Sequence, residues 1–325
     1  MCASREVRLY VDDGLCLSYD QSLQQELICN LQTIVELRVS DGSYFIGLEI
    51  EYKDQQLIIH QKSYIQKLLD TFNMTGCNSR KIPASPSVHL SANDESDVLD
   101  EKVPYRQLIG CLMYLATRTR PDIAFITSKL AQFVEKPKLN HWKACKRVVS
   151  FLKDTIDKGI SYGGSNEAAN VLEGFCDSDF GGDIDTRKTT AGFVFILNNE
   201  AVTWSSRKQK SNVVSTAEAE YVSCSMASKD GIWLRRILEE LGLPQLEPTI
   251  IYCDNLSAVR MINTPTILKA SRHIEIHFHF VKDLAEKKIL VFKHISGNKQ
   301  VADILTKALP VEQFSKFSHK LGLFT

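Results

Sequence analysis

A chain of 325 residues, 44% hydrophobic and 24% charged, carries too much apolar material for a disordered polymer and too much length for one small core, so two or three folded units are expected. Lys plus Arg equals Asp plus Glu at 39 each, which excludes a global field for attracting nucleic acid and leaves that task to local patches. The 9 cysteines form no C-x-x-C pair, which points to free thiols in a reducing compartment, and neither a ~20-residue bilayer span nor a secretory signal is legible, so a cytosolic or nuclear protein without membrane contact is expected.

Val7 to Ser18 reads as two short strands around Asp12-Asp13-Gly14, because Asp-Gly favours the positive backbone angles of a tight hairpin. Adjacent aspartates after an apolar run are what a metal-dependent polymerase needs in such a hairpin. Gln21 to Val35 is helix-like, with Leu23, Leu27, Leu31 and Ile34 on one face. "SYFIGLEIEYKDQQLIIHQKSYIQKLLDTFNM" supplies two strands joined at Lys53-Asp54 and a helix from about Ser63. The polar stretch "CNSRKIPASPSVHLSANDESDVLDEKVP" lacks periodicity and behaves as a connector. Three helical stretches follow Pro104, with Pro121 at a helix start. In the last of them Lys143, Lys146, Arg147 and Lys153 lie near one side, while Val148, Phe151 and Leu152 can face a core. That side is either a phosphate-tracking surface or a solvated face, and spacing alone favours the second.

The text changes period at Gly163-Gly164-Ser165. "VLEGFCDSDF", "TAGFVFILNN" and "AVTWSSR" read as consecutive strands, and a long helix runs from Thr216 to Leu241, stopping at Gly242. "TIIYCDN" is a buried-type strand, followed by helices at "LSAVRMIN" and "RHIEIHFHFVKDLAEKK", the strand "ILVFKHI" and a helix at "QVADILTKALP". This order predicts an α/β unit, a mixed sheet flanked by helices.

Four carboxylates fall at telling places in that order. Asp177 ends the first strand, Glu220 lies one turn into the long helix, Asp254 ends the buried strand and Asp303 starts the last helix. Strand ends and helix starts at one sheet edge can converge without sequence proximity. Clustered carboxylates repel unless cations neutralise them, and Mg²⁺ or Mn²⁺ suits an all-oxygen set. A pair of such ions ~4 Å apart stabilises attacking and leaving oxygens in phosphodiester hydrolysis. Singly, each acid is as readily explained by a cap or turn.

Segments "GFCDSDFGGDIDTRKTTAGFVFILNNEAVTWSSRKQKSNVVSTAEAEYVSCS", "IYCDNLSAVRMI", "RHIEIHFHFVKD" and "QVADILTKALP" closely resemble the ribonuclease H domain of copia-class LTR-retrotransposon Pol polyproteins. "LYVDDGLCLS", "YFIGLEIE", "QKSYIQKLLDTFNM" and "YRQLIGCLMYLATRTRPDIAF" resemble the reverse transcriptase of the same polyproteins. The resemblance implies a partial reverse-transcriptase palm over 1–78, a connector over 79–103, a helical thumb or connection region over 104–163 and a ribonuclease H domain over 164–325. It implies cleavage of the RNA strand of an RNA/DNA hybrid with two Mg²⁺ ions, for which Mn²⁺ can substitute, held by Asp177, Glu220, Asp254 and Asp303. Glu218 rivals Glu220, but two residues along a helix turn a side chain by ~200°, so one of them faces the site, and the family places its acid directly before the aromatic.

By the same resemblance Asp12, with Asp13 beside it, belongs to the polymerase metal site. That site also needs an aspartate from an earlier strand and fingers for the nucleotide, so no polymerase activity is expected from this chain alone. The remainder of the Pol polyprotein is then an expected partner, and a virus-like particle a further expected location. Arg207, Lys208 and Lys210 in "SSRKQKSN" suit phosphate contacts near Glu220. Asp179 and Asp183 are expected beside the ligands or in solvent. His273 and His277 have a zinc-gripping spacing, with His279 nearby, but no further ligand at finger spacing, and a packed or polar role is expected. His294 is expected on a strand, away from catalysis. Two alternatives stay open: a non-catalytic nucleic-acid-binding remnant, and a polymerase whose front part lies elsewhere.

Overall fold

The computed structural model describes the chain apart from residues 1–4, 12, 19, 164–169, 211–212, 265–271 and 325; for residues 5–10 and 272–278 it describes the backbone alone. The first hairpin pairs β1 (Arg5–Tyr10) with β2 (Asp13–Ser18). Tyr10 faces Asp13 and Leu9 faces Gly14, so Asp13 and Gly14 lie in the paired strand and not in the turn as expected. Asp13 and Gly14 instead open β2, and Val11 takes the positive φ of 53° that Asp-Gly was expected to supply. The helix α1 (Gln21–Gln32) is capped by Asp20, whose carboxylate accepts from the Ser22 N–H at 2.8 Å. None of its residues is buried, and Ile34 just beyond is exposed, so its apolar face finds no core among the described residues.

Next come β3 (Tyr44–Phe45), β4 (Leu48–Lys53), β5 (Gln56–His60) and α2 (Lys62–Thr71). Asp54 and Gln55, both at positive φ, make the two-residue turn that joins β4 to β5. After the connector, α3 (Tyr105–Arg118), a 3-10 turn at Pro121–Ile123, α4 (Ala124–Ala131) and α5 (Leu139–Asp154) form the helical region. Its corner is locked by Arg120, fully buried, whose Nε and Nη2 each donate to Asp122 at 2.9 Å, while Nη1 donates to the Thr155 carbonyl and Nη2 also to the Thr155 hydroxyl. This bidentate pair satisfies both charges, which is the condition for burying them. Pro121 sits at the first position of the turn, as expected.

The strand β6 (Gly159–Gly163) pairs antiparallel with β5 and with the C-terminal β12 (Leu323–Phe324), giving the order β12-β6-β5-β4-β3. Between β6 and β12 lie β7 (Leu172–Asp179), β8 (Thr190–Leu197), β9 (Glu200–Lys208), α6 (Thr216–Glu240), β10 (Thr249–Cys253), α7 (Leu256–Asn263), α8 (Arg272–Glu286), β11 (Leu290–His294), a 3-10 turn at Val301–Leu305 and α9 (Val311–Lys320). Their sheet has the order β11-β10-β7-β8-β9. β7, β8 and β9 are antiparallel neighbours; β10 and β11 run parallel to β7. The expected mixed sheet is therefore present.

Both faces of this sheet are covered, which is why β8 reads as a nearly continuous apolar run and is buried along almost its whole length. Side chains alternate along a strand. Cys176, Phe193 and Phe195 meet α6, α7 and α8, while Phe175, Val194 and Ile196 join the core of α2 to α5. Trp204 Nε1 donates to the Ala116 carbonyl at 2.7 Å, and the Tyr162 hydroxyl to that of Ala201 at 2.9 Å, so polar contacts also tie the helical region and β6 to β9.

Candidate active site

Asp177 lies near the C-terminal end of β7, held by backbone contacts on either side. Ser223 of α6 donates its hydroxyl to the Asp177 carbonyl at 2.8 Å, and Gln300 donates its amide to the Cys176 carbonyl at 2.9 Å. Asp254 follows β10, the parallel neighbour of β7, and so arrives at the same edge. Asp303 comes from the 3-10 turn. The expected α-helix at 300–310 is thus tighter and shorter, and α9 begins only after Pro310. The tightness has a consequence, because residues three apart eclipse in a 3-10 turn. Asp303 and Thr306 both serve the Asp177 edge, and the Thr306 hydroxyl donates to Asp177 Oδ2. Gly192 makes this approach possible: a Cβ there would stand 2.7 Å from Thr306 Cγ2 and 2.8 Å from Leu305 Cβ.

Asp177, Asp254 and Asp303 bring one carboxylate oxygen each to within 4.8 Å of one another. Glu220 adjoins them through Asp254, its Oε1 accepting from the Ser178 N–H at 3.2 Å and its Oε2 lying 3.6 Å from Cys253 Sγ. Asp177, Glu220 and Asp303 are buried at 2%, 5% and 4% exposure, and Asp254 is half-buried. Burial first, then the charge of Asp177, pushes the Glu220 carboxyl up to about 10 and the Asp303 carboxyl up to about 7. The same two causes raise Asp254. Lys307 is the one cation among the described residues within ion-pair distance of these four acids, 3.1 Å from Asp303 and 3.6 Å from Asp177, and against its own burial their charges hold its ammonium up at about 12. One lysine does not neutralise four carboxylates. An all-oxygen cluster this crowded fits a divalent cation, by charge and by donor type.

Glu218 is spoken for elsewhere. Its N–H donates to the Ser215 hydroxyl at 3.2 Å and its Oε2 accepts from the Val214 N–H at 2.7 Å, a capping arrangement at the start of α6. The S-x-x-E spacing of Ser215 to Glu218 carries that signal. Asp183 is not in solvent: it is buried between Lys129 of α4 at 2.8 Å and Lys208 of β9 at 2.9 Å. Asp179 is half-buried near the cluster.

The three basic residues expected at the substrate do not form one patch. Lys208 is tied to Asp183 and to Gln132 Oε1 at 3.0 Å. Strand alternation turns Arg207 to the opposite sheet face, where Asp230 of α6 is its electrostatic neighbour. Lys210 is exposed beyond the strand. Asp12 and the side chains of His273 and His277 lie outside the described residues; His279 and His294 are exposed, His294 at the end of β11 as expected. The eight described cysteines are free, as expected, and Cys176, Cys224 and Cys253 cluster under the acids as core packing. Thr306 and Lys307 went unread in the sequence; Lys307 stands four residues after Asp303, a spacing that announces an ion pair.

A five-stranded sheet in the order 3-2-1-4-5, numbered from its own first strand, with four acids on one edge defines a ribonuclease H-like fold. No family model matches the chain. It is 33% identical over 323 residues to the retrovirus-related Pol polyprotein from transposon TNT 1-94 of Nicotiana tabacum, a match covering 97% of this chain and 24% of that protein. It is 30% identical over 234 residues to the putative transposon Ty5-1 protein of Saccharomyces cerevisiae, covering 67% of this chain and 71% of that protein. A structure of the foamy viral protease-reverse transcriptase in complex with RNA/DNA hybrid aligns with 13% identity and a TM-score of 0.48 over 94% of this chain and 37% of that one. The chain belongs to the copia-class retrotransposon Pol polyproteins. It spans about a quarter of the tobacco relative's length.

Proposed function

We propose that the chain is a metal-dependent ribonuclease H that hydrolyses the RNA strand of RNA/DNA hybrids. The observation that supports this most is the convergence of Asp177, Asp254 and Asp303, within 4.8 Å through their oxygens, with buried Glu220 beside them. These four residues would hold Mg²⁺, with Mn²⁺ as substitute. When bound, a pair of such ions stabilises the attacking and leaving oxygens of an in-line phosphoryl displacement. Thr306 orients one oxygen of Asp177, leaving the other free to bind. Lys307 holds the acids together by partial neutralisation and stands where it can meet a phosphate. Burial keeps bulk water from screening these charges.

Primer extension by this chain alone is expected to be absent, and a primer-extension assay on the chain alone tests that expectation. The rest of the polyprotein is the proposed partner for that activity. The test uses a labelled hybrid with and without Mg²⁺, alongside calorimetric titration of Mg²⁺. Asp254→Asn should abolish cleavage and weaken ion binding. Hybrid binding without cleavage, identical in both proteins, would leave a non-catalytic binder.

A further inference from the structure

The helix α5 carries the basic side left open by its sequence, and its surroundings decide between the two readings. A cleft of about 840 Å³ is walled by α5, by the connector around Arg80 to Leu90 and by the loop between β7 and β8, and Lys307 and Asp179 line it too. It therefore shares Lys307 with the acidic cluster. Asn140, Lys143, Arg147 and Ser150 of α5 line it at spacings of three, four and three, so one helix face is turned inward.

A solvated face would leave each charged head in water. Arg147 does not behave so: its Nε is buried and has no hydrogen-bond partner among the described residues. Burial, and then the like charge of Arg80, lowers its affinity for its proton. Two guanidinium groups thus face one space with no carboxylate paired to either among the described residues. Among the described residues Lys143 reaches only Asn140 Oδ1, at 3.4 Å. Of the two acids on the wall, Asp94 already accepts from Asn140 at 3.0 Å and from Ser96, and Asp179 lies at the catalytic end. The cleft consequently holds uncompensated positive charge and a buried donor awaiting an acceptor, which is the chemistry of a phosphate site.

We propose that this cleft is a phosphate track, in which Arg80, Lys143 and Arg147 hold the backbone of one nucleic-acid strand running away from the acids. Residues 140 to 150 of α5 extend ~15 Å at 1.5 Å per residue. With one phosphate per ~3.4 Å of strand axis, that length accommodates about four nucleotides. The inference rests on the hybrid being the substrate, and it adds a part of the chain outside the ribonuclease H-like sheet to substrate recognition.

The test compares the full chain with Arg80→Gln/Arg147→Gln and with Lys143→Gln, an exposed position whose change leaves folding intact. Binding of a long hybrid and of one too short to leave the acidic cluster is followed by fluorescence anisotropy against salt, with Ca²⁺ in place of Mg²⁺. The double variant should bind the long hybrid at least tenfold more weakly, with a log–log salt slope shallower by about two, since each phosphate contact contributes about −0.9 in duplex. Lys143→Gln should lower the slope by about one. Short-hybrid binding, and kcat on saturating long hybrid, should stay within twofold. If affinity and slope for the long hybrid match the parent in both variants, the track is refuted, whether or not the chain cleaves. If no hybrid is cleaved by any protein while the slope changes persist, the track stands and the nuclease reading falls.

Discussion

Replacing Asp183 with asparagine removes a charge that two lysines share. The carboxylate side chain is 2% exposed and pairs with Lys129 of α4 at 2.8 Å and Lys208 of β9 at 2.9 Å, joining the helical region to the sheet. The Thr186 N–H and hydroxyl add hydrogen bonds at 2.8 Å each. Breaking a buried pair from one side costs about 3–5 kcal/mol, because the partner charges are stranded. The lysines are 13% and 23% exposed, so water recovers part of that and the lower figure applies. For a chain of this size about 3 kcal/mol lowers the melting temperature by roughly 4 °C. The pH dependence has a definite sign. Burial opposes ionisation of Asp183, but both lysines and Thr186 outweigh it and hold the carboxyl well below the ordinary carboxylate range. A depressed folded pKa contributes stability above the unfolded value, ~3.9, and that contribution is lost as pH falls below it. Thermal scans by circular dichroism should therefore show a constant gap between parent and variant from pH 8 to 5, closing toward pH 3. Adding Lys208→Met to the variant should recover part of the loss. A drop under 1 °C at pH 7, or a gap that widens on acidification, would refute the reasoning.

Gly192→Ala should push the 301–306 turn off β8, since its new methyl would meet Leu305 Cβ at 2.8 Å; a destabilisation of about 1–3 kcal/mol is expected in urea titration, with weaker Mg²⁺ binding by calorimetry. Thr306→Val keeps shape and removes the donor to Asp177, so divalent-ion affinity should fall ~10–100-fold with unchanged far-ultraviolet dichroism. Burial pushes the Glu200 carboxyl up to about 7. A raised carboxyl pKa gives stability that is present below the unfolded value, ~4.3, and lost as pH rises through 7. Glu200→Gln should thus gain melting temperature relative to the parent between pH 5 and 8, and a gap independent of pH would sink that account.

What could be read without the fold were the features that local chemistry dictates. The apolar run of β10 announced a buried strand, and the placement of Asp177, Asp254 and Asp303 at element ends anticipated one edge. Where a local signal competed with another, reading faltered. Asp-Gly suggested a turn at Asp13-Gly14, yet pairing of Tyr10 with Asp13 moved it earlier. Ser215 and Glu218 carried a capping motif that separates Glu218 from Glu220, and it went unread until the hydrogen bonds were seen.

Other features depend on contacts distant in sequence, which no local pattern encodes. The sequence by itself determined the family, the succession of strands and helices along the chain and the residue types at element ends, because periodicity and motifs are local, while the order of strands within the sheet came only from the fold. Only the tertiary structure decided that Arg207 and Lys208 face opposite sides of β9, that Lys208 is held by Asp183, and that α5 meets Arg80 across a cleft leading to Lys307. Each of those outcomes is set by which surfaces two remote segments bury against each other, and a charge's meaning changes with the neighbour that burial gives it.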